Sequence, residues 1–188
     1  DIFDDISQWN TVKYDQKNID DSYFARESYG GAKTVRYFQP SPVDKLSEVK
    51  VTHDNQFLYF YIKCKENISQ YKANDNWLNL FLGTGEPCQK GWESYDYVIG
   101  RKYENGEALI GRLNNDFSTE NCGNAKYCLK DNIIQIKVPR TAVGLTGAID
   151  KFYFKVAAGV EKPSEIMNYY QTGSSIPMGR LSYMYNLK

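Results

Sequence analysis

The sequence is poor in histidine and cysteine, carries no excess charge and has no long apolar run. His53 is the only histidine, and the four cysteines show no CxxC spacing, which argues against a structural zinc site. The 23 Lys and Arg residues balance the 23 Asp and Glu residues, so the chain has no basic field for nucleic acid. No stretch approaches the roughly 18 consecutive apolar residues of a membrane span. We therefore expect neither a nucleic-acid partner nor a membrane span.

The four cysteines leave the redox compartment open. They allow three pairings, and we favour Cys122–Cys128 across a short polar loop, with Cys64–Cys88 as the second pair. These bridges predict a secreted or cell-surface protein, and four reduced thiols are the alternative. The chain begins at Asp1 without the charged start and apolar core of a signal peptide, so we expect any targeting segment to have been removed.

Aromatic residues are abundant, and apolar positions recur with a period of two. The 16 Tyr and 9 Phe residues favour strands over helices. In segment 57–64, alternate residues form a dry face, while Tyr59 and Tyr61 lie on a wetter face. The same alternation in later segments predicts a core that includes Leu58, Phe60, Ile62, Leu78, Leu80, Leu82, Ile134, Ile136, Phe152 and Phe154.

Turn motifs separate these segments and set the fold class. Asn105-Gly106 is the strongest hairpin motif, and Asp54-Asn55 and Asp131-Asn132 occupy similar positions. Only segment 139–145 has the start and stop residues of a helical turn. Many short strands linked by hairpins predict an all-β fold, an antiparallel two-sheet β-sandwich of jelly-roll type with little helix.

No linker, composition break or internal repeat divides the chain. We therefore predict a single domain over residues 1–188, in which residues 1–47 form N-terminal edge strands and loops. The two segments of this region that we expect as edge strands are 4–9 and 33–38.

The order of several segments resembles the family 9 carbohydrate-binding modules and the related DOMON-like β-sandwiches. The segments are VTHDNQFLYFYIKC, DNWLNLFLGT, GWESYDYVIGR, IIQIKVPRTAVGL, FYFKVAA and IPMGRLSYMY, and they span roughly residues 48–185. The resemblance implies a non-catalytic domain of a secreted or cell-surface protein. Such a domain holds an oligosaccharide or polysaccharide through aromatic stacking, beside catalytic domains of a larger parent protein, and needs no cofactor.

The resemblance also implies an aromatic clamp, which here points to Tyr71 or Trp77 and to Tyr169 or Tyr170. Flat rings pack on pyranose faces, while amide and guanidinium groups meet the sugar hydroxyls. The predicted ligand-binding residues are Tyr71, Trp77, Trp92, Tyr95, Arg101, Asn168, Tyr169 and Tyr170.

Departures from the family pattern leave a second function class open. Relatives carry acidic residues where this chain has Gly83 and Ser174, so we expect no metal site and calcium-independent binding. Some DOMON-like domains hold haem through His and Met, but His53 beside a turn and methionines near the other end of the chain argue against it. The alternative to glycan binding is a structural or adhesive spacer, or a protein-docking module.

Overall fold

The protein is built almost entirely from antiparallel strands. The computed structural model describes residues 2–18, 42–73, 76–84, 91–147 and 149–188, together with the backbone of 25–30 and 33–38. Strands account for 48% of the residues and helical turns for 10%, well below the roughly one-third helix of an average globular protein. The all-β, single-domain prediction is confirmed.

Thirteen strands and three short 3₁₀ helices make up the described part of the chain. The strands are β1 Asp15–Lys17, β2 Ala25–Gly30, β3 Lys33–Phe38, β4 Leu46–His53, β5 Phe57–Cys64, β6 Asn79–Gly83, β7 Tyr97–Glu104, β8 Glu107–Leu113, β9 Thr119–Lys130, β10 Ile133–Pro139, β11 Lys151–Ala158, β12 Ser174–Ile176 and β13 Tyr183–Asn186. The 3₁₀ helices are Ile6–Thr11, Arg140–Val143 and Ile166–Tyr170.

Eleven of these strands form one hydrogen-bonded sheet, and β2 and β3 form a separate hairpin. The order in the large sheet is β1-β4-β5-β10-β9-β8-β7-β6-β11-β12, and β13 also pairs with β11. All pairings are antiparallel, and the sheet curls into a half-barrel. The strands therefore form one continuous curled sheet, and a division into two separate sheets is not shown.

Side-chain hydrogen bonds join the two ends of the curled sheet. The Leu46 amide of β4 donates to the Ser174 hydroxyl of β12 at 3.0 Å. The Tyr14 hydroxyl, just before β1, donates to the Met184 carbonyl of β13 at 2.8 Å. These contacts bring the first and last strands together around a common interior.

The concave side of the sheet encloses the main hydrophobic core. All ten residues predicted for the core belong to it, and each has at most 1% of its surface exposed. The Phe60 ring lies 6.2 Å from Phe152 and 5.6 Å from Phe154, centre to centre, so β5 packs across the interior against β11. The period-two pattern thus identified the inward face correctly.

The convex side is covered in two places, which the alternation pattern did not predict. The 3₁₀ helix Ile6–Thr11 lays Trp9 against Tyr59 and Tyr61, so the expected wetter face of β5 is buried. The Trp9 indole donates to the buried Gln135 side chain at 2.6 Å. The expected edge strand at 4–9 is therefore wrong, because the Asp5 carboxylate caps a helical turn by accepting from the Ser7 amide.

Two hairpins and the single predicted helical turn are where the sequence places them. Asn105 and Gly106 both have positive φ, as a type I′ turn between β7 and β8 requires. Asp131, also at positive φ, turns the chain from β9 to β10. The chain after Pro139 forms the 3₁₀ helix Arg140–Val143, which ends at the left-handed Gly144. Segment 33–38 is a strand, β3, but it pairs with β2.

The favoured disulfide is ruled out by the geometry of β9. Cys122 and Cys128 lie six residues apart on this extended strand, which separates their Cα atoms by about 20 Å, whereas a disulfide needs less than about 7 Å. Both thiols are free, as is the buried Cys64. Cys88, its predicted partner, lies outside the described residues.

Candidate functional site

The eight predicted ligand-binding residues fall into two neighbouring regions. Six of them lie in or beside an aromatic cluster on the convex side of β6, β7 and β11, which we call the Trp92 cluster. The other two, Tyr71 and Trp77, pack together beside an open depression, which we call the Trp77 cleft. Val160 belongs to the cluster and also lines the cleft, so the two regions adjoin.

The Trp92 cluster is a continuous set of aromatic contacts around Phe81. The Phe81 ring of β6 lies 5.6 Å from Trp92, 5.4 Å from Tyr95 and 6.1 Å from Tyr169, centre to centre. Trp92 and Tyr95 are held together by a tight turn in which each backbone amide donates to the other residue's carbonyl, at 2.9 and 2.8 Å. This turn folds the two rings back onto the outer face of the sheet.

The polar ends of these rings are satisfied within the protein. The Trp92 indole donates to the Ser164 carbonyl at 3.2 Å, and the Tyr169 hydroxyl donates to the Pro163 carbonyl at 2.9 Å. The Tyr95 hydroxyl lies 2.5 Å from the Ser182 hydroxyl. Burial raises the pKa of both tyrosines.

These rings are too buried to serve as open stacking platforms for a sugar. Trp77 and Trp92 are each 5% exposed, and Tyr95 and Tyr169 are each 1% exposed. Trp92, although it lies in the loop before β7, is therefore part of a buried cluster. The loop residues 160–173 and Phe117 supply the cover.

Arg101 and Phe117 close the outer side of this cluster. The guanidinium carbon of Arg101 lies 4.0 Å from the centre of the Phe117 ring, and Nη2 donates to the Phe117 carbonyl at 2.6 Å. Nη1 donates to the Thr119 hydroxyl at 3.4 Å. Desolvation lowers the pKa of Arg101, and the Tyr169 phenol is the only titratable group that opposes this effect.

Asn168 and Tyr170 organise the loop between β11 and β12. The Asn168 side-chain oxygen accepts from the Lys162 amide at 2.9 Å and from the Thr172 hydroxyl at 2.5 Å, so this amide holds the loop closed. The Tyr170 ring is half-buried and covers Gly179, where a Cβ would overlap the ring. Both residues stabilise the loop from within.

Lys155 is a further unusual group beside the cluster. Its side chain is fully buried, its ammonium donates to the Pro177 carbonyl, and it lies 6.0 Å from the centre of the Tyr169 ring. Desolvation lowers its pKa to about 7, and no charged neighbour adds to or opposes this effect. The alternation of residues along β11 did not predict that Lys155 would be buried.

The Trp77 cleft is the open site among the predicted residues. It has a volume of about 600 Å³, within the range of roughly 300–1,000 Å³ typical of small-molecule sites. Trp77 forms one wall, with its indole donating to the Ser69 carbonyl at 2.9 Å and its ring 5.5 Å from that of Tyr71. The cleft is lined by Val43, Asp44, Ser69, Gln70, Lys72, Asn76, Trp77, Gly159, Val160 and Glu161.

Polar groups in the cleft are partly fixed and partly free to meet a ligand. The buried Asp44 carboxylate accepts from the Ser69 amide at 2.7 Å and from its hydroxyl at 2.5 Å. The Asn76 side chain donates to the Val160 carbonyl at 2.9 Å, which ties the segment before β6 to the end of β11. Gln70, Lys72 and Glu161 are exposed at the rim.

Sequence reasoning missed most of the cleft. Asp44 precedes β4, Ser69 follows β5, and Gly159 follows β11, so only the long-range pairing of the strands brings them together. Of the predicted ligand-binding residues, Trp77 is the one that lines the cleft. No local pattern could have identified the others.

The structure places His53 away from both regions. Its Nδ1 bonds to the Tyr185 hydroxyl, and Met167 and Met184 are each 42% exposed. Across the described residues, no three His, Cys, Asp or Glu side chains lie together as metal ligands. The helices in the same ranges are all too short and polar to cross a membrane.

Comparison with known proteins found no matching family model, no matching curated protein and no matching solved structure.

Proposed function

We propose that this chain is a non-catalytic carbohydrate-binding domain that holds an oligosaccharide in the Trp77 cleft. The observation that carries the proposal is the cleft itself, an open depression with an aromatic wall and amide, carboxylate and ammonium groups at its rim. The sequence resemblance to family 9 carbohydrate-binding modules supports the same function. A secreted or cell-surface location goes with this proposal, although the cysteines no longer support it.

The cleft suits a sugar because it offers both apolar surface and hydrogen-bonding groups. Val43, which is 80% exposed, offers apolar surface for the C–H groups of a pyranose ring. The Gln70 amide can donate to and accept from hydroxyl groups, and the Glu161 carboxylate can accept from them. Asp44 already accepts two hydrogen bonds from Ser69, so it shapes the cleft wall and holds Ser69 in place.

The burial of the predicted rings favours one alternative, a spacer or protein-docking module without a glycan ligand. Four of the eight predicted residues retain 5% or less of their surface, and the strongest stacking partners are therefore unavailable at rest. Under this alternative the cleft is an incidental surface feature, and no saccharide binds there.

Titration calorimetry separates the two functions. The panel should contain β-glucan, xylan, mannan and host-glycan oligosaccharides at up to millimolar concentration. We expect Gln70→Ala and Glu161→Gln each to weaken binding by about 2–10-fold, the equivalent of one hydrogen bond. Gln8→Ala, which removes an exposed glutamine of the N-terminal 3₁₀ helix, is the matched control and should bind like the wild type. Absence of binding to every saccharide would favour the spacer.

A further inference from the structure

Among the described residues, no acidic side chain neutralises the charge of Arg101. Its guanidinium donates only to the Phe117 carbonyl and the Thr119 hydroxyl, and none of the ion pairs formed by the described residues includes it. Arginine presents five N–H donors in a planar fork that matches a carboxylate, so most of its capacity is unused here. Lys155, whose ammonium lies 6.0 Å from the centre of the Tyr169 ring, is a second buried basic group that pairs with no acidic side chain among the described residues.

Phe117 lies over Trp92 in a conformation that a phenylalanine rarely adopts. Its φ is 70°, in the left-handed region, which disfavours bulky side chains. Its ring meets the Trp92 indole edge-on at 4.7 Å, and its amide donates to the Asn114 carbonyl at 3.0 Å. The contacts with Arg101 and Trp92 therefore hold residues 114–118, the loop between β8 and β9, in a strained position over the cluster.

Two more non-glycine residues at positive φ lie in the turn beside Trp92, and one of them, Glu93, is charged. Glu93 and Ser94 have φ of 51° and 72°, and both are exposed. The other non-glycine residues at positive φ are Asn105 and Asp131, residue types that tolerate hairpin turns. Within the described residues, strain at poorly suited residue types is thus concentrated around Trp92, and such strain is typical of ligand-binding sites.

We propose that residues 114–118 cover a second binding site, in which Arg101 and Trp92 hold a sugar that carries a carboxylate, such as a uronic acid. This inference rests on the proposed function in that the ligand is a glycan. The carboxylate replaces the Phe117 carbonyl on the Arg101 fork, because a charge-assisted bidentate pair is stronger than a hydrogen bond to a neutral carbonyl. Phe117 then leaves its strained position and uncovers the Trp92 ring for stacking.

The ligand must be acidic for two reasons. A neutral hydroxyl forms a hydrogen bond with Arg101 that is no stronger than the bond Arg101 already makes with the Phe117 carbonyl. Opening the loop for such a ligand therefore gives no net gain in free energy. The cluster also holds the charge of Arg101, and the Lys155 ammonium is partly protonated near neutral pH, so the local field favours a negative group. The sugar ring, and not a smaller anion, is the expected partner because the part of the Trp92 indole that Phe117 contacts is free for packing once Phe117 has moved.

Trigalacturonic acid and its methyl ester test this site, since they share the same sugar rings and the ester replaces each carboxylate with a neutral group. We expect the acid to bind the wild type at least roughly tenfold more tightly than the ester and to shift the ¹H–¹⁵N indole resonance of Trp92. Arg101→Gln should abolish this preference, and Arg101→Lys should restore only part of it because lysine lacks the fork. Phe117→Gly removes both the cover and the strain, so it should bind the acid roughly tenfold more tightly than the wild type. Circular dichroism checks that each variant is folded.

The outcomes separate this site from the proposed function. If Phe117→Gly binds the acid and the wild type does not, and if the Trp92 indole resonance shifts on binding, the result also supports a covered site. Equal binding of acid and ester, unaffected by Arg101→Gln, overturns the second site but leaves glycan binding at the Trp77 cleft intact. No binding of any saccharide by the wild type or by Phe117→Gly overturns both.

Discussion

Nδ1 of His53 lies 2.9 Å from the hydroxyl oxygen of Tyr185, and this hydrogen bond joins the two ends of the main sheet. His53 ends β4, whereas Tyr185 lies on β13. Burial, followed by the charge of Arg140, lowers the pKa of His53 from its ordinary value of 6.5. The folded protein therefore favours the neutral imidazole.

The hydrogen bond between His53 of β4 and Tyr185 of β13 should stabilise the folded protein less in acid. As the pH falls below about 6.5, the unfolded chain protonates His53 more readily than the folded protein does, so stability is lost. Tyr185→Phe should lower the free energy of unfolding by about 0.5–1.5 kcal/mol at pH 7, because it deletes the hydrogen bond but keeps the ring. Urea denaturation of the wild type and His53→Gln at pH 7 and 5.5 measures the pH effect. Parallel losses in both proteins would contradict it.

Leu80 tests the packing of the concave core. It is fully buried in the middle of β6, between β7 and β11, so Leu80→Ala should cost about 2–5 kcal/mol. Leu181→Ala is the matched control, since Leu181 is 59% exposed and its truncation should change stability by less than about 0.5 kcal/mol. Similar losses for the two variants in chemical denaturation would show that the faces of β6 are assigned wrongly.

Lys155 should make stability rise with pH above neutrality. Its pKa is about 7 in the folded protein and 10.5 in the unfolded chain, so the unfolded chain binds more protons between these values. The slope should approach about 1.4 kcal/mol per pH unit. Lys155→Met should be more stable than the wild type at pH 7 and should lack this rise between pH 7 and 9.5. Identical pH profiles for the two proteins, measured by urea denaturation, would mean that Lys155 is solvated.

The cysteines should differ in reactivity but not in oxidation state. Denatured, non-reduced protein should show at least three free thiols, because Cys64, Cys122 and Cys128 are unpaired. In the native protein, the exposed Cys128 should react with a thiol reagent long before the buried Cys64, whose pKa burial raises to about 12. Cys128→Ser should remove one thiol from the fast phase. Fewer than three thiols, or a fast phase of unchanged size after this substitution, would contradict the assignment.

The strands and the core could be predicted because both depend on local patterns. Leu58, Phe60 and Ile62 alternate with residues of the other face, and that period alone orients β5. Asn105-Gly106 fixes a hairpin through backbone conformations that few other residue pairs adopt. These features need no knowledge of distant parts of the chain.

The cover of the convex face could not be predicted because it comes from distant segments. Period two shows that Tyr61 and Lys155 lie opposite the core, but not that Trp9 or the loop at Pro177 buries them. The Trp77 cleft depends in the same way on the pairing of β6 with β11, which sets Asn76 beside Val160. The predicted disulfide was wrong because a polar composition at 121–128 was interpreted as a loop, whereas it lies within β9.

The three tryptophan indoles report on three separate places in the molecule. The Trp9 indole donates to Gln135, the Trp77 indole to Ser69 and the Trp92 indole to Ser164. Because the three acceptors differ, the three indole ¹H–¹⁵N resonances should be distinct. Replacing each tryptophan in turn by phenylalanine assigns the three resonances. Trp9 lies beneath the N-terminal 3₁₀ helix, away from the cleft, and serves as the internal control.

Glycan binding at the Trp77 cleft can be read from these resonances during a titration with the neutral oligosaccharides of the calorimetric panel. We expect at least one oligosaccharide to shift the Trp77 indole resonance in a saturable manner, while the Trp9 resonance stays in place. Saturation should occur in the micromolar to millimolar range seen by calorimetry. A panel in which no saccharide moves the Trp77 resonance at millimolar concentration would contradict glycan binding at this cleft.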